Sequence, residues 1–385
     1  NLYYTGLFKI KKANIPKDKI TLVMCKSCKL VQLNKSFNPK IMYDHNYGYR
    51  TGINKTMSMH VRNVVKKLSY RTNISKGDLA LDIASNDGTL LNNYPKNIIT
   101  CGVDPILNKY KKFYSKVKFK VPEFFNLKYF LKKKLYNKFK IITALSVFYD
   151  LKNPNKFLSD IKELLSFDGI FYVEFADLYS IIKNNMFDTI CHEHMEYYSF
   201  NVINNMVKKN HLKIIDLDIN EINGGSIGVY VTHKHSKFTV NNKNINILIK
   251  LEKKSKLNLK KTFNIFFKNI NSLKIRLMKT LMEIKKKGKS IHGYGASTKG
   301  NVLLQYFKID NKIIDYISDR NPKKNNLYTP GTKIQIINES KSRNLRPDYY
   351  LVLPWHFKKE ILSRERKIRL KGTKFIFPLP DITVV

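Results

Sequence analysis

The spacing of apolar positions along the chain changes several times, and the changes divide it into parts. From Asp78 onward, short apolar runs alternate with amphipathic stretches. Strands are expected at residues 79–84, 98–103, 117–121, 141–145 and 170–175, with a helix over 154–165. Such alternation predicts a parallel, doubly wound sheet with crossover helices. Between Ile245 and Lys287 the period becomes helical. Phe263, Phe266, Phe267, Ile270, Leu273, Leu277, Leu281 and Ile284 recur at spacings of three and four, which predicts one connecting helix with a single buried face. A second strand–helix set begins at Lys289, with strands at 290–292, 313–318, 349–353 and 374–377 and a helix from about Lys299. Ahead of the first set lies a small module with strands at 20–24 and 30–33 around Cys25-Lys26-Ser27-Cys28, then a Tyr-rich stretch and a helix over 57–68. The divisions expected are 1–45, 46–240, 241–288 and 289–385.

The 385 residues are 43% hydrophobic and 12% aromatic, enough to pack cores and to exclude intrinsic disorder. No apolar run reaches the ~18 residues of a membrane helix, and four cysteines do not make a disulfide scaffold. The expectation is a cytoplasmic protein without membrane association. The formal charge is +42, but only 10 of the 71 basic residues are Arg, and Lys is spread from Lys9 to Lys374. A nucleic-acid face clusters its charge and favours Arg, so nucleic acid is not the expected partner. The positive field suits anionic small molecules such as sugar nucleotides.

Candidate chemistry concentrates in three places. In Asp82-Ile83-Ala84-Ser85-Asn86-Asp87-Gly88 a strand ends in an acid, turns through small residues and is expected to enter a helix at Gly88. The next strand ends at Asp104-Pro105. This spacing suits an adenosyl ligand whose ribose hydroxyls meet Asp104. A phosphate would be repelled by Asp87 and a sulfonium attracted, so S-adenosylmethionine is the cofactor inferred, held by Asp82, Ala84, Ser85, Asn86, Gly88, Asp104 and Pro105. The loop Gly293–Gly300 offers Ser297, Thr298 and Lys299 to the anionic part of a substrate, or is a tight turn with no ligand. The densest polar cluster is Cys191-His192-Glu193-His194-Met195-Glu196-Tyr197. Its imidazoles suit general acid–base work, with a metal site or a structural cluster as the alternatives. Cys25 and Cys28 are half of a four-cysteine zinc ribbon, so zinc is expected only if a further cysteine pair exists.

Taken together, these segments resemble the three-domain nucleotide-sugar C-methyltransferases of deoxysugar pathways. The resemblance rests on Cys25–Gln32, Tyr47-Gly48-Tyr49-Arg50, Ala84–Gly88, Phe187–His194, Asn223-Gly224-Gly225-Ser226, Gly293–Asn301 and Leu353-Pro354-Trp355. It implies an N-terminal zinc-binding module, a central Rossmann-like methyltransferase domain and a C-terminal Rossmann-like domain. It implies acid–base residues in a Tyr-His-Glu-His segment, matched by His192, Glu193 and His194, with Cys191 at the tyrosine position. His194 is then the expected base, with His192 and Glu193 orienting it or stabilising an enolate, and Tyr197 or Tyr47 in place of the missing phenol. Tyr47, Tyr49, Asn223, Gly225 and Ser226 are the implied substrate contacts. The expected reaction is base-generated enolate formation on a nucleotide-linked keto-deoxysugar, then methylation at carbon. The alternatives are a methyltransferase acting on RNA, protein or another small molecule, and an inactive sugar-nucleotide-binding relative.

Overall fold

A computed structural model describes residues 1–43 and 48–385. Its central element is a seven-stranded sheet with spatial order Leu212–Asn220, Ser226–His233, Leu165–Phe175, Phe139–Leu145, Leu79–Ile83, Ile99–Val103, Phe119–Val121. The five strands from Leu79 to Phe175 run parallel. Their apolar side chains fill cores on both faces, which is why they read as unbroken apolar runs. Ser226–His233 is inserted antiparallel between Leu165–Phe175 and Leu212–Asn220. That hairpin, like strand Ile336–Asn338, was not legible in the apolar pattern. The strand order reverses beside Leu79–Ile83, and the crevice at that switch point is where an open α/β sheet binds ligands.

No α-helix follows the first strand, contrary to expectation. Residues 84–88 form a tight loop with positive φ at Ala84, Asn86 and Gly88, and only a 3-10 turn, Leu91–Asn93, comes after it. Two asparagines precede Tyr94-Pro95, and the residue before a proline is pushed out of helical geometry. Gly88 has φ +72°, and the Tyr114 ring lies 3.2 Å from where its Cβ would sit. Any side chain there is both strained and crowded.

The C-terminal sheet has the order Ile336–Asn338, Tyr316–Asp319, Ile291–Tyr294, Tyr349–Val352, Lys374–Phe377, Thr383–Val384, parallel except for the last strand. This is a second doubly wound arrangement. The stretch expected as one connecting helix is two, Asn242–Ser255 and Lys260–Lys286, broken where Lys256 adopts φ 49°. In the second helix Phe266, Ile270, Leu273, Leu277, Leu281 and Ile284 are buried, as the period predicts, whereas Phe267 is exposed.

The N-terminal residues do not stand apart. Val31–Leu33 pairs with Leu22–Met24 on one side and with Glu196–Tyr197 on the other. Tyr3 N–H donates to Gln305 (2.7 Å) and the Asn301 amide donates to the Thr5 carbonyl (2.6 Å). The first residues therefore join the polar cluster of the central domain to the C-terminal domain. No helix among the described residues is long and apolar enough to cross a membrane.

Candidate active site

The cofactor loop is held from both sides. Asp104, at the end of the second strand, accepts from Asn86 N–H and Ile106 N–H, both at 2.8 Å. Ser85 and the Asn86 carbonyl meet the Tyr114 hydroxyl at 2.8 and 2.9 Å. Asp82 accepts from Thr143 at 2.7 Å. Burial pushes Asp82 up to about 7 and Asp104 up to about 6. Neither carboxylate forms an ion pair among the described residues. Two under-compensated carboxylates at adjacent strand ends fit a ligand that brings hydroxyl donors and a positive charge. Pro105 is part of the turn that returns the Ile106 amide to Asp104.

Asp87, expected to repel a phosphate and attract a sulfonium, has no free charge to do so. Its carboxylate is 1% exposed and already paired, accepting from Arg50 Nε (2.8 Å) and Gly52 N–H (3.0 Å). Arg50 also lies 4.0 Å over the Phe113 ring. Asn86 completes the lock by accepting from Thr51 N–H (3.0 Å) and donating to the Tyr49 carbonyl (3.3 Å). Segment 49–52 is thus fastened across the loop. This carries the Tyr49 hydroxyl toward Thr51, Asp87 and Glu174; the residue as a whole is exposed, but its hydroxyl end is buried enough to be raised, with the Thr51 hydrogen bond opposing the rise and the two carboxylates adding to it. Tyr47 lies outside the described residues.

The His-Glu-His segment points three ways. His192 is fully buried, its ring 4.5 Å from Tyr4 and 4.7 Å from Phe37. It makes no contact with His194 and belongs to the N-terminal packing, so its expected orienting role is not supported. Glu193 accepts from Thr5 Oγ1 and Gly6 N–H, both at 3.1 Å, and anchors the N-terminal segment. Tyr197 donates to the His194 carbonyl at 2.9 Å, so its phenol holds the backbone of that residue. Cys191 is buried beside Glu193 and Asp150, and burial raises its thiol well above the usual range. The Asp150 carboxyl there accepts from the Tyr43 hydroxyl at 2.6 Å.

His194 alone is half-open. Its Nδ1 lies 2.7 Å from the Thr189 carbonyl, an acceptor only, so Nδ1 carries the proton and Nε2 the lone pair. Burial, then the Lys299 charge, push the imidazole down to about 4, so it is neutral at pH 7. A closed rim of groups begins and ends at this ring. Thr189 adjoins Asp188, which accepts from Trp355 Nε1 at 2.8 Å. The Trp355 ring lies 5.8 Å from the Lys299 ammonium, which donates to the Asn223 carbonyl at 2.8 Å. Asn223 Nδ2 donates to Ser146 at 3.2 Å, Ser146 meets the Tyr149 hydroxyl, and the Tyr149 ring is 4.2 Å from the His194 ring.

The remaining expected contacts divide between rim and scaffold. Asn223 takes φ 56° at the hairpin tip, which turns its amide and carbonyl into the rim. Gly225 packs on Ser180, and Ser226 is buried and donates to the Ile222 carbonyl at 2.9 Å, so both shape the turn. Ser297 caps helix Thr298–Phe307 by accepting from Gly300 N–H, with Thr298 at its first turn. Cys25 and Cys28 sit together in the turn between two strands. Among the described residues no group of three or more His, Cys, Asp or Glu is placed to hold a metal. The sequence reading passed over Ser146, Tyr149 and Asp188. The first two follow the strand Phe139–Leu145, and a position just past a parallel strand's C-terminal end is itself a site signal.

Comparison with known proteins bears on the kind of protein rather than on individual site residues. Residues 106–224 match the methyltransferase domain, and residues 221–380 match the C-methyltransferase C-terminal domain. A C-methyltransferase of Streptomyces niveus, NovU, is 26% identical over 373 residues, covering 95% of this chain and 87% of that protein. These matches support a C-methyltransferase family for this chain. They support methyl transfer as its activity, for which S-adenosylmethionine is the expected donor. Among solved structures, an S-adenosylmethionine-dependent methyltransferase of Clostridium acetobutylicum is 14% identical, with a TM-score of 0.37 over 46% of this chain and 92% of that one. The magnesium protoporphyrin IX methyltransferase of Synechocystis is also 14% identical, with a TM-score of 0.35 over 52% of this chain and 86% of that one.

Proposed function

We propose that this C-methyltransferase acts on a nucleotide-linked keto-deoxysugar, at the carbon next to the carbonyl, with His194 as the base. The observation that carries the reading is the single half-open imidazole of the cluster, locked with its lone pair on Nε2. A carbon acid needs such a base, because carbon is not nucleophilic toward a methyl sulfonium until a proton is removed. A methyltransferase acting on oxygen or nitrogen has less need of one. S-adenosylmethionine supplies the electrophilic methyl group when bound. Loop 84–88 and Asp104 hold its adenosyl part, and segment 49–52 covers that loop and limits access of water. Helix Thr298–Phe307 begins at the same cleft, and the free backbone N–H groups of its N-terminus, rather than the Lys299 side chain, suit the anionic part of a sugar nucleotide. Incubation with a panel of nucleotide keto-sugars should give one product heavier by a methylene unit. Methylation of RNA or protein but of no member of the panel overturns the reading.

A pH profile gives a second test. With His194 pushed down to about 4, kcat/KM for the sugar, measured at saturating S-adenosylmethionine at every pH, should stay level from neutrality to about pH 5, bend near 4 and fall tenfold per unit below it as the imidazole protonates. A fall centred near pH 6.5, the ordinary histidine value, would mean that the base is a more exposed group.

A further inference from the structure

Forming an enolate places a negative charge on the former carbonyl oxygen, and a base alone does not stabilise it. The groups first expected to help do not reach the cleft: His192 is packed between Tyr4 and Phe37, and Glu193 is tied to Thr5 and Gly6. The rim holds one ammonium, that of Lys299. It donates to a neutral partner, the Asn223 carbonyl, and lies over the Trp355 ring. No carboxylate pairs with it among the described residues within 4.0 Å. Asp188 is within reach of the Lys299 charge, which opposes the rise that burial causes in its carboxyl; Trp355 Nε1 engages one of its oxygens, and the carboxylate makes no ion pair within 4.0 Å among the described residues. An ammonium fixed by a carbonyl and an indole, and left without a salt bridge, is available to a charge that arrives with the substrate. Lys299, Asn223, Ser146, Tyr149 and His194 follow one another by contact around the rim, so the ammonium and the imidazole share it.

We propose that Lys299 is the electrophile of the reaction, the group that binds the substrate's carbonyl oxygen and stabilises the enolate. The inference rests on the reading of His194 as base. As the C–H proton passes to His194 Nε2, its bonding pair forms the C=C bond and the carbonyl π pair moves to oxygen beside the Lys299 ammonium. When carbon bonds the methyl group, the oxygen pair re-forms the carbonyl, and the pair of the broken methyl–sulfur bond stays on sulfur. The ammonium needs to lose no proton, so it serves both halves of the step. Its positioning depends on Gly224: a Cβ there would come within 2.5 Å of the Trp355 ring that supports Lys299.

The rival role for the same charge is an anchor for the substrate's diphosphate. The test compares wild type, Lys299→Met and Lys299→Arg by three measurements on the keto-sugar substrate found in the panel. These are exchange of its acidic hydrogen in deuterated solvent, methyl transfer, and binding of the nucleoside diphosphate alone. Lys299→Met should slow exchange and methyl transfer together by about 10²–10³-fold, the loss typical of one oxyanion donor. Nucleoside diphosphate affinity should stay within about twofold. Lys299→Arg keeps the charge and should recover exchange to within about tenfold of wild type, which separates lost chemistry from lost folding. Exchange at the wild-type rate in Lys299→Met overturns the proposal, as does an equal loss of diphosphate affinity and rate. If wild type itself neither exchanges nor methylates any keto-sugar, the underlying reading has failed instead.

Discussion

His194→Ala should abolish two activities at once: methyl transfer, and exchange of the substrate's acidic hydrogen with solvent. Loss of a general base typically costs about 10²–10⁴-fold. Exchange is the sharper readout, because proton removal precedes methylation. Cofactor affinity should remain near wild type, since His194 contacts Thr189 and Tyr149 and no residue of loop 84–88. The fold should survive as well. The imidazole's hydrogen-bond contacts are both to Thr189 in a 3-10 turn, its carbonyl at 2.7 Å and its hydroxyl at 3.1 Å, and the ring is only partly buried. His192→Ala should behave in the opposite way. That ring fills the space between Tyr4 and Phe37, so its removal leaves a cavity at the N-terminal interface and lowers the melting temperature by several degrees, with exchange retained in the folded fraction. If His194→Ala exchanges deuterium at the wild-type rate, the base lies elsewhere, and Tyr49 and Tyr149, the phenols nearest the cleft, are next to test.

The contrast between two histidines separated by one residue marks the limit of what the sequence discloses. The five parallel strands of the central sheet and four of the C-terminal sheet's six were legible as apolar runs, because a strand buried on both faces has no other pattern. The loop 82–88 and Asp104 stood out because an acid at the end of each of two consecutive strands is a local feature. The directions of His192, Glu193, His194 and Tyr197 are not local. They depend on partners nearly 200 residues earlier, at Thr5 and Gly6, and on Trp355 well over 100 residues later. The charge of Asp87 was misjudged for the same reason, since its neutralising partner is Arg50, 37 residues away. The hairpin from Leu212 to His233 escaped because Asn223-Gly224-Gly225 was noticed as a motif and not as a turn between two strands, although paired glycines after an asparagine are a turn signal. The connecting helix was read as continuous because nothing in the apolar period at Lys256 announces its left-handed break.

Asp104→Ala should weaken S-adenosylmethionine binding by at least tenfold and up to about a hundredfold. Asp104 is expected to meet the ribose hydroxyls, and it already does a second thing: its two oxygens clamp Asn86 N–H on the cofactor loop and Ile106 N–H in the following turn. Alanine removes a charged acceptor, worth roughly 1.5–3 kcal/mol, and leaves both amides without their partner. The Asn86 turn, held at φ 53°, then loses its main restraint on one side. Binding should fall through a looser loop as well as through the missing ribose contact. Asp104→Asn separates the two causes. Its side chain keeps one acceptor oxygen and replaces the other with a donor, so it can hold only one of the two amides and should fall between alanine and wild type. The pH dependence is a further check. Burial pushes Asp104 up to about 6, so the carboxylate form, and with it cofactor affinity, should be full above neutrality and decline as pH drops through 6. Calorimetric titration at pH 8 and pH 5 measures this. An affinity within twofold of wild type in Asp104→Ala at pH 8 would place the ribose elsewhere and leave Asp104 as a brace for the loop alone.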